Sequence, residues 1–392
     1  MPKHLAPGVY VEEVPTKAKP IEGVGTSTAG FVGAAQSGPL DSPVGPITSL
    51  VEFERQFGDG SDLAYPGSGA MPAFLWHAAR SFFVDGGRRL WVVRVSRRGT
   101  SGKGARPRSR DFERGLAMLD AIDDVAMIAA PGATFGGAGD FQRDASAIAA
   151  ALLAHAERMR YRIALLDAPN GQTSDQVRAW RARFASSHAA LYFPWVSVAD
   201  PKGGQLVLPP SGFVAGIFAR NDTDRGVQVS PAGQALSGAM GVEIAIDDAQ
   251  AAVLDAEGIG CIRWFADRGV RVWNARMLSS DPEWRYVNIR RLFIYLEDSI
   301  YRGVQWAVFE PNGAALWENV RRTVSDFLFS EWGHGTLSQK TAQDAFFVRC
   351  DCTSMTRDDI ANGRVVVLAG VAPAQPAEFV IFRITVQTAA KR

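Results

Sequence analysis

Apolar residues recur at helical spacing in the last hundred residues of the chain, from Glu283 to Gln387. In the first run they are Ile289, Leu292, Phe293, Leu296 and Ile300, and in the second Leu316, Val320, Val324, Phe327 and Leu328. Steps of three and four residues predict two helices, each buried along one side. The runs that follow, at 345–351, 364–372 and 377–387, are rich in β-branched and aromatic residues and predict three strands.

The middle of the chain alternates between helical and strand patterns. Helices are predicted at 111–122, 141–160 and 174–185, and the strands that follow them at 125–130, 163–167 and 190–198. Helices and strands that take turns are typical of an α/β unit with a partly parallel sheet. Residues 200–241 contain many Pro, Gly and Asn-Asp combinations and are predicted to be mainly loop.

A short β-rich segment stands apart near the N-terminus. Val9, Tyr10, Val11 and Val14 predict a strand, and Pro15–Gly25 predicts a linker because its Pro and Gly residues stop regular structure. Both edges of such a strand lack a partner, so it must join a sheet elsewhere. From the residues alone, that sheet belongs either to its own domain or to a neighbouring molecule.

The composition is that of a folded protein whose net charge is close to zero. The 392 residues are 47% hydrophobic and 21% charged, and this length favours two domains. A net charge of +1 argues against nucleic acid or an anionic membrane as partner. With no 18-residue apolar run and no signal-peptide pattern, we expect assembly in the cytoplasm, with exit by lysis or inside a particle.

The chain lacks a recognisable catalytic grouping. The Gly-rich turn 131–140 lacks the Lys-Ser/Thr pair that a phosphate-binding loop requires. Asp167, at the end of a predicted strand, is a candidate for a general base or a metal ligand, but the sequence places no carboxylate or His as its partner. Cys261, Cys350 and Cys352 are too few for a convincing metal site and are predicted to be buried thiols, with Cys350 and Cys352 on one strand face. We therefore expect no enzyme activity, no metal and no cofactor.

Several motifs resemble those of contractile tail sheath proteins, the family of phage tails, R-type pyocins and extracellular contractile injection systems. They are Tyr286-Val-Asn-Ile-Arg-Arg, Phe309-Glu-Pro-Asn, the segment Met355–Arg364, Pro373–Phe379, Pro7–Pro15 and Leu208–Asp222. The resemblance runs nearly end to end and is weakest from Arg97 to Val196.

The resemblance implies a structural polymer subunit. Family members stack as six-membered rings around an inner tube, and the partners it implies are further copies of the chain, the tube protein, and baseplate and terminator proteins. It implies no nucleic acid partner and no direct membrane insertion. Terminal strands are expected to complete sheets in neighbouring subunits. Those residues are Val9, Tyr10, Val11 and Val14 at one end and Phe379, Val380, Ile381, Phe382, Ile384 and Val386 at the other.

The expected architecture is a mixed α+β and α/β fold with extended strand arms at both termini. Residues 1–26 would be the N-terminal arm and linker, and 377–392 the C-terminal arm. A core domain would combine 27–96 with 200–376, its C-terminal sheath part at 283–376, around an α/β domain inserted at 97–199.

The segment Thr356–Asn362 predicts a short helix capped by Thr356. Arg357, Asp358 and Asp359 in its first turn are candidates to face the inner tube, although capping alone would account for the two acids.

The sequence is compatible with two other classes of function. One is a phage-like structural assembly protein that does not contract. The other is an α/β enzyme with a site at the strand ends of the middle unit.

Overall fold

A twisted sheet of eight strands forms the centre of the chain in a computed structural model, which describes residues 20–65, 69–96, 105–136, 140–200, 203–373 and 380–387. The strands are β1 (Ala29–Gly33), β2 (Val44–Ile47), β3 (Leu63–Tyr65), β4 (Gly69–Met71), β5 (Leu90–Arg94), β6 (Met127–Ala129), β7 (Ile163–Asp167), β8 (Ala189–Phe193), β9 (Val196–Ala199), β10 (Gln205–Leu208), β11 (Ala239–Val242), β12 (Ile259–Phe265), β13 (Gly269–Val272), β14 (Phe346–Arg349), β15 (Arg364–Val371) and β16 (Val380–Gln387).

The helices cover both faces of this sheet and build a second unit. They are α1 (Leu50–Phe57), α2 (Phe74–Val84), α3 (Ser109–Met118), α4 (Asp140–Met159), α5 (Ser174–Arg181), α6 (Ser211–Arg225), α7 (Asp248–Ala256), α8 (Val287–Gly303), α9 (Ala314–Gly333), α10 (Ala342–Ala345) and α11 (Arg357–Ala361). None of the described helices is long and apolar enough to span a bilayer.

The large sheet has the order β13-β12-β8-β7-β6-β1-β5-β2. Its inner strands are parallel, and β2 and β13 are antiparallel at its edges. Strand residues alternate between two cores: Phe31 packs with α2 and α6, whereas Val32 packs with α3 and α4. The mixed α/β fold predicted from the alternation of elements is confirmed.

The sheet crosses both boundaries predicted for the inserted domain. Strands from 97–199 occupy the middle of the sheet, with β1, β2 and β5 on one side and β12 and β13 on the other. Because strands from before, within and after 97–199 form one sheet, the boundary between structural units does not lie at 97 or 199. The division lies after β13, where α8 and α9 pack on the separate sheet β14-β15-β16 around a third core.

Two local predictions are wrong. Residues 190–198 form two strands, because Pro194 has no N–H to continue the ladder, and β9 pairs with β10 and β11 instead. The loop-rich stretch 200–241 contains α6, whose first nine residues are all buried. In a helix segment that is buried on every side, the apolar residues form no stripe along one face. Their spacing therefore did not indicate a helix here.

Two glycines bring α6 close to α2. A Cβ at Gly212 would lie 2.6 Å from the Ala78 Cα, and one at Gly216 would lie 2.6 Å from the Phe82 carbonyl oxygen. The two helix backbones can approach this closely only where one of them carries no side chain.

We expect Gly216→Ala to lower the free energy of unfolding by about 1–3 kcal/mol, because the added methyl group forces the two helices apart. Urea unfolding followed by circular dichroism measures the change. Gly333→Ala is the matched control, since a Cβ there meets nothing within 4 Å. Equal effects of the two substitutions would mean that close helix packing does not stabilise the fold.

Candidate assembly surfaces

The C-terminal sheet has an open edge at β16. This strand pairs antiparallel with β15 over eight residues, from Val380 opposite Val371 to Gln387 opposite Arg364. It is the outer strand in the order β14-β15-β16, and no strand of the described residues pairs with its other edge. Of the predicted arm residues, Val380, Ile381, Phe382, Ile384 and Val386 lie on β16 and Phe379 lies outside the described residues. Their exchange between subunits stays a prediction.

The predicted N-terminal strand, with Val9, Tyr10, Val11 and Val14, lies outside the described residues. The chain is described from Pro20, and its first residues are packed along α8. The backbone N–H of Val24 donates to Ser299 Oγ at 3.0 Å. Gly23 lies so close to Tyr295 that a Cβ there would be 2.2 Å from the phenol oxygen. The C-terminal half of the predicted linker is thus fixed to the body, although it has no regular secondary structure.

A buried ion pair joins this entry segment to both units of the fold. Arg291 of α8 donates from its two terminal nitrogens to the carboxylate of Asp222 on α6, at 2.8 and 2.5 Å. The Thr26 hydroxyl donates to the same carboxylate at 2.6 Å, and the Thr26 carbonyl accepts a hydrogen bond from Arg291 at 2.9 Å. The Arg291 and Asp222 side chains are 5% and 4% exposed. Three distant parts of the chain therefore meet at one buried charged contact.

Sequence reasoning gave neither charged residue a role. Arg291 ends the motif Tyr286-Val-Asn-Ile-Arg-Arg, and Asp222 ends the motif that begins at Leu208. The available signal was an arginine on the apolar face of α8, one turn from Val287 and from Ile294. Its partner is 69 residues away, which no local pattern reveals.

The short helix α11 begins as predicted. Thr356 Oγ accepts from the backbone N–H of Asp359 at 3.1 Å, and the Asp359 carboxylate accepts from the Thr356 N–H at 3.0 Å. Asp358 pairs with Arg364 at 2.5 Å, and Asp359 lies 3.1 Å from the same guanidinium. Arg357 and Asp358 are exposed and Asp359 is buried. Both acids thus have partners within the chain, and a tube-facing role for the three residues stays a prediction.

The strand ends of the large sheet hold a structural carboxylate. Asp167 at the end of β7 accepts from the Ser211 N–H and from the Ser211 hydroxyl, each at 2.7 Å. The carboxylate therefore serves as the hydrogen-bond acceptor for the first residue of α6, and it is buried there. Burial raises its pKa to about 7, against the opposing effect of the Ser211 hydrogen bonds. Among the described residues, no group of three or more acidic, His or Cys side chains could hold a metal ion.

The cysteines differ from the prediction in two respects. Cys261 and Cys350 are buried, whereas Cys352 is exposed. Because β14 ends at Arg349, Cys350 and Cys352 lie beyond the strand on which they were expected to share a face. All three thiols are free.

The raised pKa of Asp167 predicts a pH-dependent stability difference. A folded-state pKa above the unfolded one stabilises the fold at low pH, and this contribution is lost as pH rises from about 4 through about 7. Asn carries no charge, and it can accept from the Ser211 N–H through Oδ1 and donate from Nδ2 to the Ser211 hydroxyl oxygen. We expect the stability advantage of Asp167→Asn to grow by about 2–3 kcal/mol between pH 5 and pH 8.

Urea unfolding at several pH values tests this difference. Asp175→Asn is the control, because the Asp175 side chain is 90% exposed and a change there should give an offset that does not grow. The comparison must be between variants, because His155, whose pKa burial lowers to about 4, contributes in the opposite direction. A constant difference between Asp167→Asn and the parent would refute the account of this carboxylate.

Comparison with known proteins places this fold among tail sheath proteins. The family model of the phage tail sheath protein central domain matches residues 112–277, and that of the phage tail sheath C-terminal domain matches 279–387. The division between them falls after β13, where the structure separates its two units.

Curated relatives agree over part of their lengths. A prophage major tail sheath protein of Pseudomonas aeruginosa is 28% identical over 61% of this chain. The tail sheath protein of Burkholderia phage BcepMu is 30% identical over 45% of it. The chain spans 61% and 40% of the lengths of these two relatives.

Solved structures agree over nearly the whole chain. The helical sheath of the anti-feeding prophage in its contracted state matches with a TM-score of 0.75 and 28% identity, covering 96% of this chain and 98% of that one. The contracted sheath complex of the extracellular contractile injection system PVC matches with a TM-score of 0.72 and 27% identity, covering 98% of each chain. The class defined by the fold is therefore that of contractile sheath subunits. The chain belongs to the phage tail sheath family.

Proposed function

We propose that this chain is the subunit of a contractile sheath. It polymerises as stacked six-fold rings around an inner tube and contracts to drive the tube through a target membrane. The observation that carries the proposal is the match of almost the entire chain to sheath subunits solved in the contracted state. Six-fold order is supported by a further match, with 28% identity and a TM-score of 0.73, to a chain of the six-fold symmetrised anti-feeding prophage baseplate.

Polymerisation follows from the symmetry of the contacts. A contact between unlike surfaces that does not close into a ring builds a helix, so one kind of subunit can form a tube of any length. Strand addition supplies directional main-chain hydrogen bonds to such a contact. The open edge of β16 and the predicted strand at Val9–Val14 provide an acceptor and a donor of this kind.

Contraction uses free energy stored during assembly. Assembly on the tube holds the sheath in an extended, kinetically trapped state, and release lets the subunits rotate into a shorter and wider array. In this mechanism the subunit needs no nucleotide, and its partners are other copies, the tube protein, and baseplate and terminator proteins. It is a structural component of a phage tail or tail-like particle, assembled in the bacterial cytoplasm and released by lysis.

Sedimentation velocity tests the polymer directly. In buffer with EDTA and without nucleotide, we expect the purified full-length protein to form large, concentration-dependent species. A monomer that persists at high concentration with both termini intact would argue against a sheath.

The linker length separates assembly from contraction. Since Ile21, Gly23 and Val24 contact α8, the remaining part of the predicted linker is Pro15–Pro20, whose six residues can span at most about 20 Å. We expect a Gly-Ser-Gly-Ser insertion before Pro20 to leave assembly nearly unchanged, because loop-closure entropy grows slowly with length. Slack in the linker should leave sheaths extended or contracted only in patches.

Electron micrographs of sheaths assembled on tubes, before and after a contraction trigger, measure the outcome. In the control, Thr16–Lys19 are replaced by Gly and Ser at unchanged length, and full contraction is expected. If the lengthened sheaths contract as completely as the parent, the arm does not transmit the motion.

A further inference from the structure

A cavity of about 400 Å³ lies beside the segment 277–285, which leads from β13 of the central unit to α8 of the C-terminal unit. Its other walls are α5 and the turn between α7 and β12. The walls approach each other closely at Gly258 in this turn, where a Cβ would lie 2.6 Å from the Met277 carbonyl oxygen and 3.5 Å from Arg181 Nη2. This cavity, the connector pocket, thus joins the central sheet to the connection between the two units.

Hydrogen bonds of the backbone hold the segment 277–285 in place. The Met277 N–H donates to the Arg285 carbonyl at 3.0 Å, so the two ends of the segment are paired. The Leu278 N–H donates to the Ala189 carbonyl at 2.8 Å, and the Leu278 carbonyl accepts from the Ser186 N–H at 3.0 Å. The side chains of this segment are therefore carried by an ordered backbone that is fixed beside the start of β8.

The two carboxylates of the connector pocket already have arginine partners. Glu257 accepts from Nε and Nη2 of Arg178 at 2.8 and 2.5 Å. Asp255 accepts from Nε and Nη2 of Arg276 at 2.8 and 2.5 Å. The pKa of Asp255 lies below its usual value chiefly because of the hydrogen bonds from Arg276, and the charge of Arg285 contributes. Both acids are thus neutralised by arginines other than Arg285.

Two further arginines of the pocket keep free donors. The Arg285 side chain is exposed, and its guanidinium forms no hydrogen bond or ion pair with the residues that the structure describes. Arg181 donates from Nη1 to the Phe184 carbonyl at a long 3.4 Å, and its buried Nε has no acceptor in the described part of the chain. The hydroxyls of Ser279 and Ser280 line the same cavity. Two positive charges with unused N–H groups therefore border one pocket.

We propose that the connector pocket binds the phosphate group of a small soluble molecule. The forked N–H groups of a guanidinium match the oxygen pairs of phosphate, and here Arg181 and Arg285 supply two such forks. Their two charges balance the nearly two negative charges of a phosphate group at pH 7. The hydroxyls of Ser279 and Ser280 can donate to further oxygens. The cavity has the volume of a small-molecule site, so the rest of the ligand also fits.

A phosphate group held in this way contacts both sides of the pocket. Arg181 belongs to α5 on the central sheet, whereas Arg285 lies at the end of the connecting segment, two residues before α8. The ligand therefore ties the connection between the units to the central sheet and restricts its motion. The inference concerns the free subunit and does not rest on the proposed function.

Isothermal titration calorimetry with sodium phosphate tests the proposal on the free full-length subunit, isolated by gel filtration and kept at constant ionic strength with chloride. We expect a Kd of about 1 mM or tighter. Arg181→Gln and Arg285→Gln should each weaken binding at least about tenfold, because each removes charge-assisted hydrogen bonds. Arg55→Gln is the matched control, since this exposed arginine lies in the last turn of α1 and outside the pocket. It should bind phosphate as the parent does.

Hydrogen exchange with mass spectrometry shows where the phosphate binds. In the parent, phosphate is expected to slow the exchange of peptides that cover 277–286, and in Arg285→Gln it should not. Circular dichroism checks that the variants keep the parental fold. A parental Kd above about 10 mM, or equal affinities of the parent and both pocket variants, would overturn the proposal. Acetate that binds as tightly as phosphate would overturn the assignment to a doubly charged group.

Discussion

The variant Tyr10→Asp/Val11→Asp is expected to remain a folded subunit that no longer forms tubes. On a strand these two neighbours point to opposite faces, so at least one carboxylate enters an apolar slot in whichever sheet accepts the strand. An unpaired buried charge costs several kcal/mol, and each 1.4 kcal/mol corresponds to a factor of ten. We therefore expect assembly to weaken by more than about a hundredfold, measured by pelleting and sedimentation velocity.

The control for this variant carries the same added charge elsewhere. Thr16→Asp/Ala18→Asp places two carboxylates in the predicted linker, outside the predicted strand, and should assemble normally. Circular dichroism and thermal unfolding should be alike for both variants and the parent. If the strand variant assembles as the parent does, residues 9–14 are not part of the subunit contact.

Arg291→Met is expected to cause the largest loss of stability, about 3–5 kcal/mol. It removes both hydrogen bonds from the guanidinium to the buried Asp222 carboxylate, which keeps the hydrogen bond from the Thr26 hydroxyl. It also removes the bond from Arg291 to the Thr26 carbonyl, so the entry segment loses part of its attachment to α8. Urea unfolding measures the loss, and limited proteolysis near residue 20 reports the released segment.

Two further variants test whether the loss of stability comes from the unpaired buried charge of Asp222. Arg291→Met/Asp222→Leu removes both charges and should regain much of the stability, since apolar replacements of buried ion pairs are often nearly neutral. Arg321→Met, in an ion pair with Glu318 whose side chains are 43% and 58% exposed, should change stability by less than about 1 kcal/mol. An effect of Arg291→Met no larger than that of Arg321→Met would show that the buried pair does not hold the units together.

The sequence predicted best where apolar residues recur with the period of the element to which they belong, or form a continuous apolar run. The apolar stripe from Ile289 to Ile300 belongs to α8, and the runs after residue 345 correspond to β14, β15 and β16. The sequence 163–167 forms β7 with the predicted bounds. In these segments the local pattern and the tertiary environment favour the same structure, so periodicity alone was sufficient.

The errors have physical causes that a single sequence does not reveal. The first nine residues of α6 are all buried, and the helix approaches α2 through Gly212 and Gly216, so the residues that make its packing possible resemble loop residues. The order of strands in the large sheet depends on parallel pairing over long separations, which removed the predicted insertion boundaries at 97 and 199.

The contact surfaces were only partly predictable. Pattern and resemblance together indicated a strand at the C-terminus, and the structure adds that β16 pairs with β15 and leaves one edge open. The Arg291–Asp222 pair and the connector pocket depend on three-dimensional neighbours. Both are visible only once α5, α6, α8 and the segment 277–285 have been placed.

Electron microscopy of the purified full-length protein tests the central claim most directly. In buffer with EDTA and without nucleotide, we predict long tubes with regular transverse striations, and end-on views or averaged rings with six-fold symmetry. Single particles of subunit size at high protein concentration, from material with both termini intact, would contradict the claim that this chain builds a sheath.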